Sequence, residues 1–175
     1  LGGIATLATG VPLTVENSSN RSRNQTSGAD FADRPNLVPG ASNNPTTGVT
    51  KGCTFGTTSI PAGGKLGTPE LWFDPCAFVP QELGTFGNLG RNTVIGPGLF
   101  TLDFVVNKHF KIGENNELQF RSEFFNGLNH VNLAPPLVTT RRIFDNNGRL
   151  VGSPGAITQT STPSRQIQFG LKYVF

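Results

Sequence analysis

Two cysteines, Cys53 and Cys76, are the residues of this sequence best suited to covalent chemistry. They lie 23 positions apart in a stretch rich in Gly, Thr and Pro, and neither histidine is near them. A four-ligand zinc site would need a second pair of ligands. A disulfide suits an oxidising compartment such as the periplasm or the cell surface, and closing a loop of this length contributes roughly 3 kcal/mol. We therefore predict a Cys53–Cys76 disulfide, with two unpaired thiols as the alternative.

The other reactive side chains do not form a recognisable active site. The sequence contains no H-E-x-x-H, G-x-S-x-G, P-loop or C-x-x-C motif. His109 and His130 belong to different elements without an evident Asp or Cys partner, so we expect each to be structural or solvated. The glycine-rich segment 84–90 lacks the spacing of a dinucleotide-binding loop. The sequence therefore predicts no enzyme, no catalytic residue, no metal ligand and no cofactor.

The composition argues against several classes of protein. Charged residues make up 14% of the chain, and it has 22 glycines and 13 prolines, which disfavours a helical bundle or a charged disordered tail. The net charge of +3 is small and scattered, so no nucleic-acid partner is expected. No apolar run is long enough for a transmembrane helix, whereas the strands of a membrane barrel are short and alternate.

Four stretches have the alternation of β-strands, at about 1–15, 100–112, 117–128 and 165–175. One face of each is mostly apolar and the other mostly polar. The short turn after the second stretch predicts a hairpin, with Asn107 opposite Glu123 and Lys108 opposite Ser122. On this parity five charged residues share the polar face: Asp103, Lys111, Arg121, Glu123 and Lys172.

The connections between these stretches are long (16–96), short (113–116) and long (129–163). Long loops that alternate with short turns are typical of outer-membrane barrels, in which the five charges would face the lumen. They would stiffen the wall or face a plug; the alternative role is contact with a moving plug or a solute. A half-buried sheet of a soluble domain has the same alternation. The smallest barrels have about eight strands, so we expect the chain to be the C-terminal part of a longer all-β transmembrane barrel.

The last strand resembles the C-terminal signal of bacterial outer-membrane barrels. Its pattern of a polar residue, glycine, an apolar or aromatic residue and a terminal aromatic matches Gln168, Gly170, Tyr173 and Phe175. The resemblance implies that the barrel-assembly machinery binds this strand before its edge is paired, a form of β-augmentation.

Further motifs resemble the end of the Oar-like TonB-dependent transporters common in acidobacteria. The match is good over 71–175 and weak over 16–70, and the cysteine pair has no place in the family pattern. The usual layout is a signal peptide, a carboxypeptidase-regulatory-like domain, a plug and a barrel of about 22 strands. The runs that carry the resemblance include Phe86-Gly87-Asn88-Leu89-Gly90-Arg91-Asn92, Leu118-Gln119-Phe120-Arg121-Ser122-Glu123-Phe124-Phe125-Asn126 and Arg165-Gln166-Ile167-Gln168-Phe169-Gly170-Leu171-Lys172.

This resemblance implies energy-coupled uptake of a scarce solute across the outer membrane of a Gram-negative bacterium. A TonB-type protein would bind the missing N-terminal part, and outer-membrane lipid would surround the strands. Arg141, Arg142 and Arg149 could meet lipopolysaccharide phosphates or be solvated in the second long loop. The alternative function is a secreted or surface β-sandwich, either an adhesin or a carbohydrate-binding module. Neither functional hypothesis identifies a substrate.

Overall fold

A computed structural model of the protein describes residues 1–24 and 33–175. The chain divides into two compact units, which we call the sheet unit and the loop unit. The sheet unit comprises Leu1–Thr9, Gly98–Leu133 and Thr160–Phe175. The loop unit comprises Gly10–Pro97 and Ala134–Gln159. Residues 25–32, which belong to the long connection predicted over 16–96, lie outside the described part.

The sheet unit is a 4-stranded antiparallel sheet in which neighbours in the chain are neighbours in the sheet. Its strands are β1 (Gly2–Ala8), β2 (Leu99–Ile112), β3 (Asn116–Phe125) and β4 (Gln166–Val174). β2, β3 and β4 each alternate between a mostly apolar and a more polar side, the period that favours a sheet with two different faces. The two long connections leave the sheet at one end, and the short one lies at the other.

The β2–β3 hairpin keeps the predicted parity but not the predicted register. Asn107 lies opposite Arg121, and Lys108 lies opposite Phe120, so the predicted partners Glu123 and Ser122 are each two residues away. The ladder continues to Ile112 and Asn116, leaving a tight loop over 113–115 in which Gly113 has a φ of 76°. Because side chains alternate with a period of two, a two-residue shift leaves every side chain on its expected face.

Two predicted strands extend several residues beyond the observed ends. The first was expected to reach residue 15, but β1 ends at Ala8, and Pro12–Leu13 pairs with Val94–Ile95 in the loop unit. The chain turns where Gly10 approaches the backbone of Gly96 so closely that a Cβ would lie 1.7 Å from the Gly96 oxygen. The third was expected to reach residue 128. It ends at Phe125 because Asn126, with a φ of 47°, leaves the extended conformation.

One face of the sheet is covered with exposed apolar side chains. Phe104 stacks on Phe124 with ring centroids 4.4 Å apart, and Phe120 stacks on Phe169 at 6.0 Å. These pairs remain open on their outer side: Phe169 is 70% exposed and Leu171 is 69% exposed. A continuous apolar surface of this kind needs a non-aqueous neighbour.

The loop unit has a hydrophobic core of its own, so the predicted 16–96 connection is not an irregular loop. Phe73 and Phe78, which come from the middle of this connection, are both fully buried in this core. Phe55 packs edge-on against Phe144 at 4.9 Å, which joins the two segments of the unit. The core consists of Leu13, Val15, Phe73, Ala77, Phe78, Leu89, Val94, Ile143, Phe144 and Leu150.

Short strand pairs, rather than long ladders, organise the loop unit. Besides the Pro12–Leu13 pair, Glu16–Asn17 runs parallel to Arg142–Phe144. Its antiparallel pairs also include Asn36–Leu37 with Phe78–Val79 and Cys53–Phe55 with Thr58–Ile60. A 3₁₀ helix spans Pro75–Ala77, and an α-helix spans Val138–Arg141. Across residues 1–24 and 33–175, no helix has the length and apolar character needed to cross a membrane.

Candidate functional site

The register of β2, β3 and β4 places the predicted charged residues on the polar face of the sheet. Lys111 lies opposite Glu117, and Lys172 lies opposite Gln119. Arg121 lies between Asn107 and Gly170, Glu123 lies between Val105 and Gln168, and Asp103 lies opposite Ile4. Lys111 and Glu117 thus place a base opposite an acid on neighbouring strands, an arrangement that lowers the cost of holding charges on one wall.

Two contacts on this face join a basic residue to an acidic one. The Arg121 Nη2 atom lies 2.7 Å from the Glu123 Oε1 atom, and the Arg121 side chain is 60% exposed. The His109 Nδ1 atom contacts Glu117 Oε1, which also accepts a hydrogen bond from Gln119 Nε2 at 3.0 Å. The sequence showed no evident Asp or Cys partner for His109, and the structure gives it a Glu partner. Glu117 lies near it because the register puts Gln119, a same-face neighbour of Glu117, directly opposite His109.

Asp103 differs from the other charges because it stabilises the end of a strand. Its Oδ1 atom accepts a hydrogen bond from the backbone N–H of Asn126 at 2.8 Å. Asn126 is the first residue after β3 and is only 5% exposed. Asp103 therefore shares the polar face with the other charges, but its carboxylate is engaged in holding the β3 terminus.

Three asparagines beyond β3, for which the sequence predicted no structural role, hold the second long connection to the sheet. Asn126 Nδ2 donates to the backbone oxygens of His130 at 2.9 Å and Pro163 at 3.2 Å. Asn129 Oδ1 accepts from the backbone N–H of Arg165 at 3.0 Å. Repeated Asn over a few residues is a sequence signal for turns, but the distant partners of these side chains are visible only in the fold. The third asparagine, Asn132, bonds to the backbone of Phe100.

Cys53 and Cys76 are joined by a disulfide in the loop unit, with Cα atoms 5.5 Å apart. The bond connects the hairpin that begins at Cys53 to the 3₁₀ helix Pro75–Ala77. Asp74 caps this helix: its Oδ1 atom accepts hydrogen bonds from Cys76 N at 3.0 Å and Thr50 Oγ1 at 2.7 Å. The covalent bond and the buried carboxylate thus hold the same two segments together.

The residues of the predicted assembly signal occupy both faces of β4. Gln168 lies opposite Glu123 and Gly170 opposite Arg121 on the polar face, whereas Tyr173 lies opposite Leu118 on the apolar face. The rings of Tyr173 and Phe175 are 6.1 Å apart, and Phe175 is 94% exposed. A Cβ at Gly170 would make only an ordinary contact of 3.8 Å, so packing within this sheet does not require glycine there.

The three loop arginines have different surroundings. Arg142 Nε lies 3.2 Å from Glu16 Oε2, so this guanidinium already has a carboxylate partner. Arg141 is the last residue of the helix Val138–Arg141, and Arg149 follows the turn at Gly148. The structure thus pairs one of the three internally, which weakens the expectation of a joint phosphate site.

Comparison with known proteins agrees with the two-faced sheet. Residues 1–168 match the model of the family described as outer membrane beta barrel domain. Neither the curated proteins nor the solved structures include a match. The family match spans nearly the whole chain. The apolar face of the sheet, its antiparallel strands and its unequal connections are those of a membrane barrel. The chain therefore belongs to the outer membrane beta barrel domain family and is a protein of the Gram-negative outer membrane.

Proposed function

We propose that this chain forms part of the barrel of an Oar-like TonB-dependent transporter, which takes up a scarce solute across the outer membrane. The observation that carries the proposal is the charged polar face of β2, β3 and β4. A barrel that only anchored a protein would have little need for a hydrated wall that carries several charged residues. Such a wall suits a lumen that holds a plug and passes a polar solute.

The position of the connections supports the same proposal. The long connections after Ala8 and Phe125 emerge at one end of the sheet, and the tight loop over 113–115 lies at the other. In outer-membrane barrels the long loops are extracellular and the short turns periplasmic. The loop unit, with its own core and disulfide, would then be an extracellular structure able to meet a solute outside the cell.

The sequence motifs support the more specific assignment to Oar-like transporters. The runs around Phe86, Leu118 and Arg165 resemble the C-terminal part of Oar-like transporters. By that resemblance a TonB-type protein, energised by the inner membrane, drives transport, and the barrel-assembly machinery inserts the chain. A β-sandwich adhesin would instead bury one sheet face against a second sheet. The family match gives no support to that alternative.

The test is uptake by cells that lack the full-length gene. Wild-type, deletion and tonB-deletion strains would be grown in a defined mixture of nutrients at limiting concentration, and the medium analysed by mass spectrometry over time. We expect the deletion strain to leave at least one solute undepleted, the tonB-deletion strain to leave the same solute, and a protonophore to reproduce the effect in wild-type cells.

Complementation tests whether solute depletion depends on this chain. Wild-type protein should restore depletion, and a variant with Arg121→Gln and Glu123→Gln should restore it less well at equal outer-membrane abundance. Solute depletion that depends on the gene but not on tonB or the proton gradient would indicate a passive pore. Unchanged depletion, together with lost attachment to surfaces, would favour an adhesin.

A further inference from the structure

Lys108 is the one charged residue among the described strand positions on the apolar face of the sheet. It lies opposite Phe120, and its same-face neighbours on β2 are Val106 and Phe110. In the barrel this face meets lipid, where a charge surrounded by hydrocarbon is strongly unfavourable. We propose that the Lys108 ammonium binds the phosphate of an anionic phospholipid in the periplasmic leaflet.

The direction of the side chain supports a site at the membrane surface. The Lys108 Nζ atom lies 5.8 Å from the centroid of the Phe110 ring. Phe110 is nearer than Lys108 to the tight loop over 113–115, so the lysine bends toward the short-turn end of the sheet. Lysines near the edge of a bilayer extend in this way, with the stem on apolar surface and the ammonium at the interface.

The position of Lys108 along the strand makes this reach feasible. Lys108 precedes the end of β2 at Ile112 by roughly 14 Å at about 3.4 Å per residue. For a strand tilted by about 45°, Lys108 then lies roughly 10 Å deeper in the membrane than Ile112. The lysine side chain extends toward Ile112 and covers much of this depth, so its ammonium reaches the level of the lipid headgroups while the stem stays on the apolar face.

An aromatic row on the same face marks that level independently. Leu118 pairs with Phe110 on one side and with Tyr173 on the other, so all three lie in one row across the sheet. Tyr173 is 50% exposed, and Phe175 follows on the same side with its ring 6.1 Å away. Aromatic residues, and Tyr in particular, form belts where acyl chains meet headgroups. The Lys108 ammonium therefore lies at the edge of such a belt.

The end of the sheet toward which Lys108 extends determines which lipids it meets. Short turns face the periplasm, where the leaflet of the outer membrane contains phospholipids rather than lipopolysaccharide. An ammonium is a compact point charge that binds phosphate oxygens without needing a planar arrangement. A headgroup with net negative charge is favoured over a zwitterionic one, whose own cation would compete with the lysine.

Native mass spectrometry of the full-length protein tests this site. The protein would be reconstituted in nanodiscs of phosphatidylcholine and phosphatidylglycerol at 3:1, released in the spectrometer, and the retained phosphatidylglycerol counted. Lys108→Met keeps an unbranched apolar stem on the lipid face, so folding is not at risk. Lys108→Arg restores the charge. Lys111→Met is the matched control, because it removes a lysine from the other face of the same strand.

We expect wild type, Lys108→Arg and Lys111→Met to retain one more phosphatidylglycerol molecule than Lys108→Met. The difference should vanish in nanodiscs made only of phosphatidylcholine. Equal retention by wild type and Lys108→Met would overturn the proposal, as would an equal loss in Lys111→Met. Because the readout is lipid retention, it does not depend on whether the protein transports a solute.

Discussion

Asn132 and Phe100 are joined by two hydrogen bonds that imitate a pair of strand residues. The Asn132 Oδ1 atom accepts from the Phe100 backbone N–H at 2.8 Å, and Asn132 Nδ2 donates to the Phe100 backbone oxygen at 2.9 Å. Asn132 is 1% exposed, and Nδ2 also donates to Thr162 Oγ1 at 3.0 Å. The side-chain amide of Asn132 thus makes the two hydrogen bonds that the backbone of a neighbouring strand would otherwise make with the start of β2.

Replacing Asn132 by Leu should destabilise the sheet. The substitution keeps a similar volume but leaves the N–H and C=O of Phe100 unpaired, at about 1–3 kcal/mol for each buried group. The measurement is urea unfolding of the full-length protein in lipid vesicles. Asn115→Ala, which removes an asparagine from the tight loop after β2, should change the unfolding free energy little. Similar values for both variants would contradict a ladder role for Asn132.

The assignment of faces predicts opposite outcomes for arginine at adjacent positions of β2. Val106 lies on the apolar face, roughly 14 Å deeper than Ile112 for a strand tilted by about 45°. Val106→Arg therefore puts a cation near the bilayer midplane, where an Arg costs about 2–4 kcal/mol. Val105→Arg adds the same side chain to the polar face, opposite Glu123, and should be tolerated. Outer-membrane abundance and heat-modifiable gel mobility would distinguish them, and Val106→Leu controls for the change in side-chain size. A tolerated Val106→Arg would show that this face does not meet lipid.

Reduction of the Cys53–Cys76 bond should loosen the loop unit. The bond closes a separation of 23 residues, for which the chain-entropy model gives roughly 3 kcal/mol. We expect a reducing agent to accelerate protease cleavage between residues 33 and 97, while the heat-modifiable mobility of the barrel is unchanged. A variant with both cysteines replaced by serine should be cleaved at the faster rate with or without reductant. Two titratable thiols in unreduced, unfolded wild-type protein would exclude the bond.

Deleting Phe175 should impair assembly more than the stability of inserted protein. The exposed ring contributes about 1.5–3 kcal/mol at most when buried in lipid, which is modest for a closed barrel. We expect lower outer-membrane abundance, with the inserted molecules unfolding at nearly the wild-type urea concentration. Lys172→Gln, on the same strand but outside the signal positions, is the control. Normal abundance after the deletion would count against an assembly signal.

The alternation of residue types was enough to predict which side chains share a face of the sheet. The even positions of 100–112, apart from Lys108, and the odd positions of 167–175 are apolar in the sequence, and the structure places them together. This information is local, because successive side chains of an extended strand point to opposite sides whatever the strand pairs with. The same pattern and the unequal connections, together with the resemblance of the last strand to an assembly signal and of further motifs to a transporter family, predicted the barrel class and the outer membrane.

The tertiary structure decided what depends on residues far apart in the chain. Parity allows any even shift of register, so only the closed loop over 113–115 brought Asn107 opposite Arg121 and Glu117 within reach of His109. The end of β1 depends on the close approach of Gly10 to Gly96, and the ladder at Phe100 depends on Asn132. These pairings require specific backbone distances that a period-two pattern does not encode, because many folds of the same strands satisfy it equally well.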